Sequence, residues 1–233
     1  MGKNSLCIVL RASNYKESDK MLTLFSQDWG RIDALARGCR KPASSLLSSC
    51  DVFCCATFSF NVSNDRYYIT QAELKNNFFS IRKNMQAMMM GMLLLEITEK
   101  TVMPEQPNAR MFALLASALH ALSENAPPKK VFIFFVFKLL DILGLKPELD
   151  VCVLCGNMQV SGFNLAAGGT VCQDCPGETL STEHIAAIRK IFQTPSRSML
   201  AVALPYDEVI YDLALRLLTS TLEYEPKTLL LLQ

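Results

Sequence analysis

Long apolar segments are missing from this sequence of 233 residues. The longest apolar runs, 88–95 and 131–137, contain eight and seven residues, whereas about 20 are needed to cross a bilayer. The N-terminus also lacks the apolar core of a secretion signal, and Leu6 stands where a myristoylation motif has Ser or Thr. We therefore expect a cytoplasmic protein that makes no contact with a membrane.

Catalytic motifs are missing as well. The sequence has no GxxxxGK[ST] loop to cradle nucleotide phosphates and no GxSxG nucleophile turn. Its two histidines, His120 and His184, have no catalytic or metal-ligating partners at a recognisable spacing. We expect a protein that is not an enzyme and that binds no nucleotide cofactor.

A strong net charge is missing too, because 23 Lys and Arg stand against 22 Asp and Glu. The balance is uneven along the chain, however. Residues 1–83 have a net charge of +5, residues 84–150 of −1 and residues 151–233 of −3. A polyanion such as a nucleic acid is therefore expected to approach the N-terminal third.

The first third of the chain has the pattern of short strands separated by polar turns. Alternating apolar residues at Phe58, Phe60 and Val62 indicate a half-buried strand, and the polar cluster at 63–65 indicates the turn after it. Five such strands in succession are typical of a small barrel. We predict them at 6–10, 21–25, 31–36, 52–62 and 66–74.

Helices are predicted beyond residue 80, where glycine becomes rare and apolar residues recur every three or four positions. The first helix ends near Pro104, and a second begins after Asn108. A third runs from Pro128 to Gly144, and two more occupy the region after the last cysteines, from Ser181 and over 207–224. One face of the first helix contains Met85, Met88, Met89 and Met92, a stripe that suits either core packing or a partner peptide.

Nine cysteines form two groups that need separate explanations. An odd number argues against a complete disulfide framework and for reduced thiols. Five of them are scattered through the first quarter of the chain. The other four, Cys152, Cys155, Cys172 and Cys175, form two CxxC pairs separated by sixteen residues, a spacing typical of a zinc knuckle. We predict that these four thiolates bind one structural Zn²⁺.

The two CxxC pairs allow three other interpretations. A redox dithiol is disfavoured because two matched pairs are present. A catalytic zinc is disfavoured because four thiolates leave no place for water. The deaminase signature of HxE with PCxxC is also missing, because Val151 and Val171 precede the two pairs. The third interpretation is a loop that has lost its metal and is held by packing alone.

Two polar segments interrupt the predicted barrel. The segment 30–42 places Arg37, Arg40 and Lys41 within five residues, which suits a loop that follows a phosphate backbone. The alternative is a solvated turn whose charges keep a sheet edge from aggregating. The other segment, 15–20, contributes Lys16 and Lys20.

Five segments stand in a fixed order along the chain. YKESDK is followed by MLTLFSQDWGRIDALARGCRKPAS and YYITQAEL, and a helical region then carries GLKPELDVCVLCG and VCQDC. Each segment is a weak signal alone, but together this order and spacing resemble the RecO family of bacterial recombination mediators over nearly the whole chain. Two departures from the family are the acidic, shortened stretch 222–227 and the unusual pair Cys54-Cys55.

The resemblance implies an α+β architecture, with a five-stranded OB-fold barrel followed by an α-helical domain that carries an inserted four-cysteine zinc knuckle. We place the barrel at 1–79, the helical domain at 80–149 and 179–233, and the knuckle at 150–178. The implied function is non-catalytic work in RecF-pathway DNA repair. Such proteins bind single- and double-stranded DNA, anneal complementary strands and, with RecR, help to load RecA on DNA coated by single-strand-binding protein. Such a protein is expected in the cytoplasm, at the nucleoid.

Candidate binding residues follow from the positive charge of the barrel and from the stacking of bases on aromatic rings in OB-folds. The predicted DNA-binding residues are Arg11, Lys16, Lys20, Arg31, Arg37, Arg40, Lys41 and Tyr67. The acidic C-terminal tail of single-strand-binding protein is predicted to bind at Lys129, Lys130 and Lys138, which lie beside four phenylalanines in the sequence.

Two competing functions stand beside the mediator. The first is an adaptor whose zinc knuckle and Met-rich helix bind other proteins without direct contact to DNA. The second is a zinc enzyme, which the four-thiolate ligand set disfavours.

Overall fold

The structure is a computed structural model that describes residues 3–201, 208–222 and 226–231. It divides into two compact units, Met1–Asn125 with Pro226–Gln233, and Ala126–Glu225. The first unit contains the barrel and two helices, and the second contains three helices and the four-cysteine segment. The borders of these units differ from those of the predicted domains. The predicted domain borders therefore stay a prediction.

A closed five-stranded barrel forms the N-terminal part of the first unit. The strand order is β1-β2-β3-β5-β4, and β4 pairs with β1 to close the barrel. Neighbouring strands are antiparallel except β3 and β5, which run parallel and pair at Ala34 with Tyr67 and at Leu35 with Tyr68. The strands are β1 (Lys3–Tyr15), β2 (Asp19–Ser26), β3 (Gly30–Ala36), β4 (Cys55–Ser63) and β5 (Arg66–Asn76).

All five predicted strands are present. The first is longer than predicted, Lys3–Tyr15 rather than 6–10, and the start of the fourth was predicted too early. The fourth strand begins at Cys55 rather than at residue 52. The preceding residues form a turn in which Phe53 has a left-handed backbone, with φ 71°, and Cys54 donates its N–H to the Asp51 carbonyl. The apolar pattern of 52–54 therefore reflects burial in a turn and not a strand, because Phe53 and Cys54 are each 1% exposed.

The barrel core is built from alternate residues of the strands together with the loop between β3 and β4. Leu22, Leu24 and Phe58 are fully buried in it. Cys7, Cys39, Cys50 and Cys54 belong to the same core, so these thiols act as small apolar side chains. Burial raises the pKa of the Cys7 and Cys50 thiols to about 12, which keeps them protonated.

Two helices complete the first unit. The helix α2 (Ala109–Ser123) begins as predicted, and α1 (Met85–Thr101) begins within the region predicted to be helical. Asn84 and Asn108 cap these helices by accepting from the N–H groups three residues ahead. The Met stripe of α1 is not core. Met85 and Met92 are 66% and 36% exposed, and the adjacent residues Met90 and Leu94 are buried instead.

The second unit contains α3 (Pro128–Ile142), α4 (Thr182–Gln193) and α5 (Glu208–Leu222). The helix α3 packs between α4 and α5 through the ring contacts of Phe137 with Phe192 and of Phe132 with Tyr211. The predicted ends of the last helix, 207 and 223–224, lie outside the described residues. Three short strands, β6 (Gly162–Asn164), β7 (Gly169–Val171) and β8 (Glu178–Thr179), form a sheet beside the cysteines.

Short 3₁₀ segments occupy Phe79–Lys83, Ser196–Ala201 and Lys227–Leu231, and the second is kinked at Ser198. The last of these belongs to the first unit, where the Glu96 carboxylate of α1 accepts from the N–H groups of Lys227 and Thr228 at 2.9 Å. Within the stretch 222–227 that departs from the family, residues 223–225 lie outside the described part of the chain. No helix among the described residues is long and apolar enough to span a membrane.

The predicted architecture is therefore confirmed. A five-stranded OB-fold barrel precedes an α-helical region, and a four-cysteine segment is inserted between helices of that region.

Candidate nucleic-acid interface and metal centre

The two polar segments singled out in the barrel sequence lie side by side. One forms the turn between β1 and β2, and the other begins the connection from β3 to β4, at the same end of the barrel. The Asp19 carboxylate accepts from the Gly38 N–H at 2.7 Å, and the Ser18 carbonyl accepts from the Arg40 N–H at 3.0 Å. These bonds fix the loop that carries the cations, and Gly38 supplies the left-handed backbone that the loop needs, with φ +64°.

Four predicted DNA contacts are exposed on this pair of loops: Lys16, Arg37, Arg40 and Lys41, which we call the basic rim. The guanidinium of Arg37 lies over the ring of Tyr68 at 4.7 Å from the centroid. The guanidinium of Arg40 donates to the Glu17 carbonyl at 2.9 Å. Both arginines are thereby oriented while their side chains stay accessible to solvent.

A shallow open depression of about 390 Å³ lies within the basic rim. Arg37, Gly38 and Lys41 form one side, and the remaining lining includes Ser44, Ser45 and Thr70. Cationic groups beside hydroxyl and backbone donors suit a phosphate oxygen. The depression therefore has the chemistry of a phosphate-backbone contact and lacks the enclosed shape of a small-molecule pocket.

The other three predicted cations are engaged within the first unit, and we call them the paired cations. Lys20 donates to the Cys50 carbonyl at 3.0 Å and pairs with Asp51 at 2.5 Å, and its side chain is only 16% exposed. Arg11 pairs with Glu99 of α1 at 3.2 Å. The Arg31 guanidinium donates to the Glu99 carbonyl at 2.6 Å.

Tyr67 is also packed rather than presented to solvent. Its ring stacks on Trp29, with centroids 6.1 Å apart and an interplanar angle of 25°, and meets the edge of Phe60 at 5.9 Å. Burial raises the pKa of its hydroxyl, and the Glu105 carboxylate raises it further. Trp29 thus occupies one face of the half-buried Tyr67 ring.

The three lysines predicted to bind an acidic tail lie on α3, in differing surroundings. The ammonium of Lys138 donates to the Phe192 carbonyl at 2.8 Å, and this residue is only 8% exposed. Lys129 binds Glu208 at 2.8 Å, and Lys130 is half-buried beside it. The four neighbouring phenylalanines of α3 are fully buried, at Phe132, Phe134, Phe135 and Phe137.

The four cysteines of the CxxC pairs converge. The Sγ atoms of Cys152, Cys155, Cys172 and Cys175 all lie within 4.8 Å of one another. The Sγ atoms of Cys155 and Cys172 are 3.6 Å apart. Four thiolates at about 2.3 Å from a central Zn²⁺ would lie roughly 3.8 Å from one another, so the cluster fits a tetrahedral metal ion with little adjustment.

Local turns bring these thiols together. The Cys152 carbonyl accepts from the Gly156 N–H at 2.8 Å, and Gly156 has φ +79°, which favours glycine. Gly177 serves a different purpose, because a Cβ there would lie 2.5 Å from the side chain of Val171. The second pair therefore needs a small residue for space.

The electrostatics of the cluster favour a thiolate. Burial opposes ionisation of Cys152, but the N–H groups of Cys172, Leu154 and Cys155 donate to its sulfur and lower its pKa to about 6. Hydrogen bonds that the Cys175 thiol donates to the sulfurs of Cys172 and Cys155 raise the pKa of Cys175 to about 12. Cys152 is thus the thiol of the cluster that ionises most readily, and a divalent cation would favour ionisation of the others.

Comparison with known protein families decides what kind of protein this is. A family model described as Recombination protein O N terminal matches residues 1–78. A second, described as Recombination protein O C terminal, matches residues 82–224. The chain belongs to the RecO family.

Individual RecO relatives agree with the family models. The DNA repair protein RecO of Moorella thermoacetica is 35% identical over 175 residues, which cover 73% of this chain and 65% of that protein. Those of Alkaliphilus metalliredigens and Syntrophomonas wolfei are 33% and 32% identical, over 72% and 79% of this chain and 70% and 76% of their own lengths. The matched region thus spans just under two thirds of the Moorella protein.

Sequence reasoning on this RecO-family chain missed the distant residues that engage the paired cations through a carboxylate or a backbone carbonyl. Glu99 lies 88 residues from Arg11 and 68 residues from Arg31. Asp51 lies 31 residues from Lys20. No local pattern signals such pairs, whereas the capping role of Asp19 on the basic rim had a signal in the turn composition of its segment.

Proposed function

We propose that this RecO-family protein is a non-catalytic DNA-binding mediator of recombinational repair. It binds single- and double-stranded DNA and anneals complementary strands. Membership of a DNA repair family supports the general role, and the basic rim supports the contact with DNA. The observation that carries the proposal is the hydrogen-bonded union of the two polar segments, which presents four cations on one end of an OB-fold barrel.

Annealing needs no bond-breaking residue. Two complementary strands repel each other through their phosphates, and a cationic surface reduces that repulsion while leaving the bases accessible. The basic rim contacts phosphates in this account, so the protein positions DNA without reading its sequence. The packed Tyr67 fits this reading, because sequence-tolerant binding then depends mainly on charge.

The salt dependence of DNA binding tests the proposal. Each phosphate contact on single-stranded DNA contributes about −0.7 to the slope of log K against log salt. Replacing Arg37, Arg40 and Lys41 by Ala should flatten that slope by roughly 2 and lower the affinity alike for unrelated sequences. The measurement is fluorescence anisotropy of a labelled oligonucleotide at several salt concentrations.

A matched control is available in the second unit. Lys146, Lys190 and Arg197 are likewise exposed, so their triple Ala variant removes the same charge at a distance from the barrel in sequence. Arg189 is unsuitable as a control because it pairs with Asp150 and donates to the Leu149 carbonyl. If the control flattened the slope as much as the rim variant, DNA contact would not belong to the basic rim.

The same proposal includes protein partners. On the basis of the family role, RecR is proposed as a partner with which the protein helps to load RecA. The same role implies a location in the cytoplasm, at the nucleoid. The acidic tail of single-strand-binding protein would be held by the first turn of α3, where Lys129 and Lys130 lie, because Lys138 is buried against the Phe192 carbonyl. The tail would replace Glu208 as the partner of Lys129.

Binding of a labelled acidic peptide that ends in phenylalanine tests this docking site. The Lys129→Ala/Lys130→Ala variant should bind the peptide at least several-fold more weakly than the Lys190→Ala variant, because two charge-assisted contacts are lost. Equal affinities of the two variants for the peptide would show that the tail does not bind at the first turn of α3. They would not affect the proposed contact of the barrel with DNA.

We further propose that the four-cysteine cluster binds one Zn²⁺ and that this ion is structural. Cys152, Cys155, Cys172 and Cys175 would supply all four ligands, which leaves no coordination position for water or substrate. The ion would stabilise a segment whose strands are only three, three and two residues long. Elemental analysis of protein purified without chelator should give about one zinc per chain.

A protein-interaction adaptor remains a second candidate function, and exposed apolar residues favour it. Met85 and Met92 are exposed on α1, and Leu154 and Met158 are 48% and 81% exposed on the knuckle. Flexible apolar side chains of this kind suit partner peptides. A gel-shift assay with single-stranded DNA, with and without a RecR-type partner, separates the two, because an adaptor would shift DNA only through its partner.

A further inference from the structure

The connection between α1 and α2 lies along the first half of β3. The Arg31 N–H donates to the Met103 carbonyl at 3.4 Å, and the Arg31 carbonyl accepts from the Glu105 N–H at 3.2 Å. Arg31 and Pro104 thereby form a parallel bridge, as in a short additional strand. We call residues 103–106 the strap. It occupies the edge of β3 ahead of Ala34, where pairing with β5 begins.

The strap and the end of α1 together engage Arg31, which the sequence had marked as a DNA contact. Its backbone N–H and carbonyl both form hydrogen bonds with the strap. Its guanidinium donates to the Glu99 carbonyl in the last turn of α1. That carbonyl is one of the acceptors that a helix C-terminus leaves unpaired. A phosphate could reach this guanidinium only by replacing that acceptor.

The strap also fits closely against the barrel. A Cβ on Gly30 would lie 2.2 Å from the Gln106 carbonyl oxygen, so the two backbones are in direct contact. Besides burial, the Glu105 carboxylate raises the pKa of the Tyr67 hydroxyl, which places the negative charge of the strap near that ring. Glu105 itself has φ 54°, in the left-handed region that a residue with a side chain adopts at a cost. The closed strap therefore contains one unfavourable backbone conformation.

The location of the strap matters because OB-folds bind oligonucleotides on the face formed by their second and third strands. Here the strap lies along the β3 edge of that face, with Arg11 and Arg31 both bound to Glu99. A purely structural explanation is that Arg31 caps the C-terminus of α1. The two explanations differ in one respect, because only a strap that competes with DNA links its own opening to DNA affinity.

We propose that residues 103–106 form an autoinhibitory strap at the β3 edge of the β2–β3 face, so that single-stranded DNA reaches Arg31 and the Tyr67 side of the barrel only when the strap opens. This inference rests on the proposed DNA-binding function and adds a regulatory element to it. The basic rim provides first contact whether the strap is closed or open. The apparent affinity of the β2–β3 face for single-stranded DNA then equals its intrinsic affinity multiplied by the fraction of molecules with an open strap.

Two substitutions at one position test the strap. Glu105→Ala and Glu105→Gly both remove the carboxylate, but only glycine adopts the left-handed backbone at no cost. The strap should therefore open about five-fold more in the Ala variant than in the Gly variant. Hydrogen exchange of a peptide that covers the strap measures opening without DNA, and anisotropy with a labelled single strand measures affinity.

We expect faster exchange at the strap and about five-fold tighter binding for Glu105→Ala than for Glu105→Gly. The control pair is Glu124→Ala and Glu124→Gly, because Glu124 is an exposed acid of the same unit with φ −89°, where glycine has no left-handed advantage. That pair should show equal affinities. A difference in affinity at position 105 alone supports the strap.

Equal affinities of the two Glu105 variants would overturn the proposal, whether both bind more tightly than the original protein or neither does. Exchange that differs without a difference in affinity would also overturn it, because opening would then not control binding. Failure of the proposed function is distinguishable, since in that case the unaltered protein and every variant would show no salt-dependent binding of DNA.

Discussion

The basic rim and the paired cations are built from the same residue types in the same barrel, yet they differ in what surrounds them. Rim residues such as Arg37 and Lys41 are exposed around an open depression. The paired cations lie beside acceptors of their own unit, as Lys20 does beside Asp51 and the Cys50 carbonyl. Sequence position does not separate the two groups, because Lys20 belongs to the same polar segment as Lys16.

The comparison teaches that availability, rather than charge alone, decides which cations bind a phosphate. A cation that already has an acidic partner must exchange one favourable contact for another, whereas an exposed cation gains a contact and releases counterions from the DNA. We therefore expect rim substitutions to change DNA binding and substitutions of the paired cations to change stability.

The largest expected effect on stability comes from loss of the metal site in the knuckle. This loss sharpens the comparison because it leaves the cations of the barrel unaltered. Replacing Cys152 by Ser removes one ligand of the proposed ion, so the second unit loses metal-linked folding energy of several kcal/mol or more. Zinc content and the thermal midpoint should both fall strongly. DNA affinity of the purified, folded fraction should change much less, because the basic rim lies in the other unit.

The same variant can break the comparison. A loss of DNA affinity in the folded fraction as large as that of the rim triple variant would assign DNA contact to the second unit. Cys55→Ser is a suitable control, since Cys55 lies in β4 of the barrel and should keep the full zinc content.

An intermediate effect is expected for Lys20→Ala. The variant leaves the Cys50 carbonyl without its charged donor and Asp51 without its partner, which should cost about 1–2 kcal/mol in the free energy of unfolding. Urea denaturation followed by tryptophan fluorescence is a direct measurement, because Trp29 is the single tryptophan of the chain and lies in the barrel unit. A free energy equal to that of the unaltered protein would show that this pair is not structural.

The smallest effect is expected for Arg11→Ala. The Arg11 side chain is 60% exposed, and exposed ion pairs contribute about 0–1 kcal/mol. The same denaturation experiment should therefore detect a change of less than half that of Lys20→Ala. A larger loss would indicate that the contact of Arg11 with Thr23, at 3.1 Å, matters more than its ion pair.

Features encoded by neighbouring residues were predictable from the sequence. The helix starts at Asn108 and Ser181 follow from local capping, and each cap is present. The cysteine cluster follows from two turns of fixed spacing. The order of the polar segments identified the family, and with it the barrel.

Features that depend on distant residues were not predictable. The strap on β3 comes from a connection more than seventy positions further along the chain, and no pattern in 103–106 indicates pairing with a strand. The Met stripe shows the same limit, because apolar spacing on a helix does not reveal which face meets the core. The packed position of Tyr67 depends on Trp29 and Phe60, which only the closed barrel brings together.

The most direct test of the account compares two lysines of the same barrel. Lys41 lies on the basic rim and Lys20 among the paired cations, so Lys41→Ala and Lys20→Ala remove the same charge from different surroundings. The measurement is the slope of log K against log salt for a labelled single strand. We predict that Lys41→Ala flattens the slope by about 0.7 and that Lys20→Ala leaves it unchanged. Equal flattening by both variants, or an unchanged slope for Lys41→Ala, would contradict the assignment of DNA contact to the basic rim.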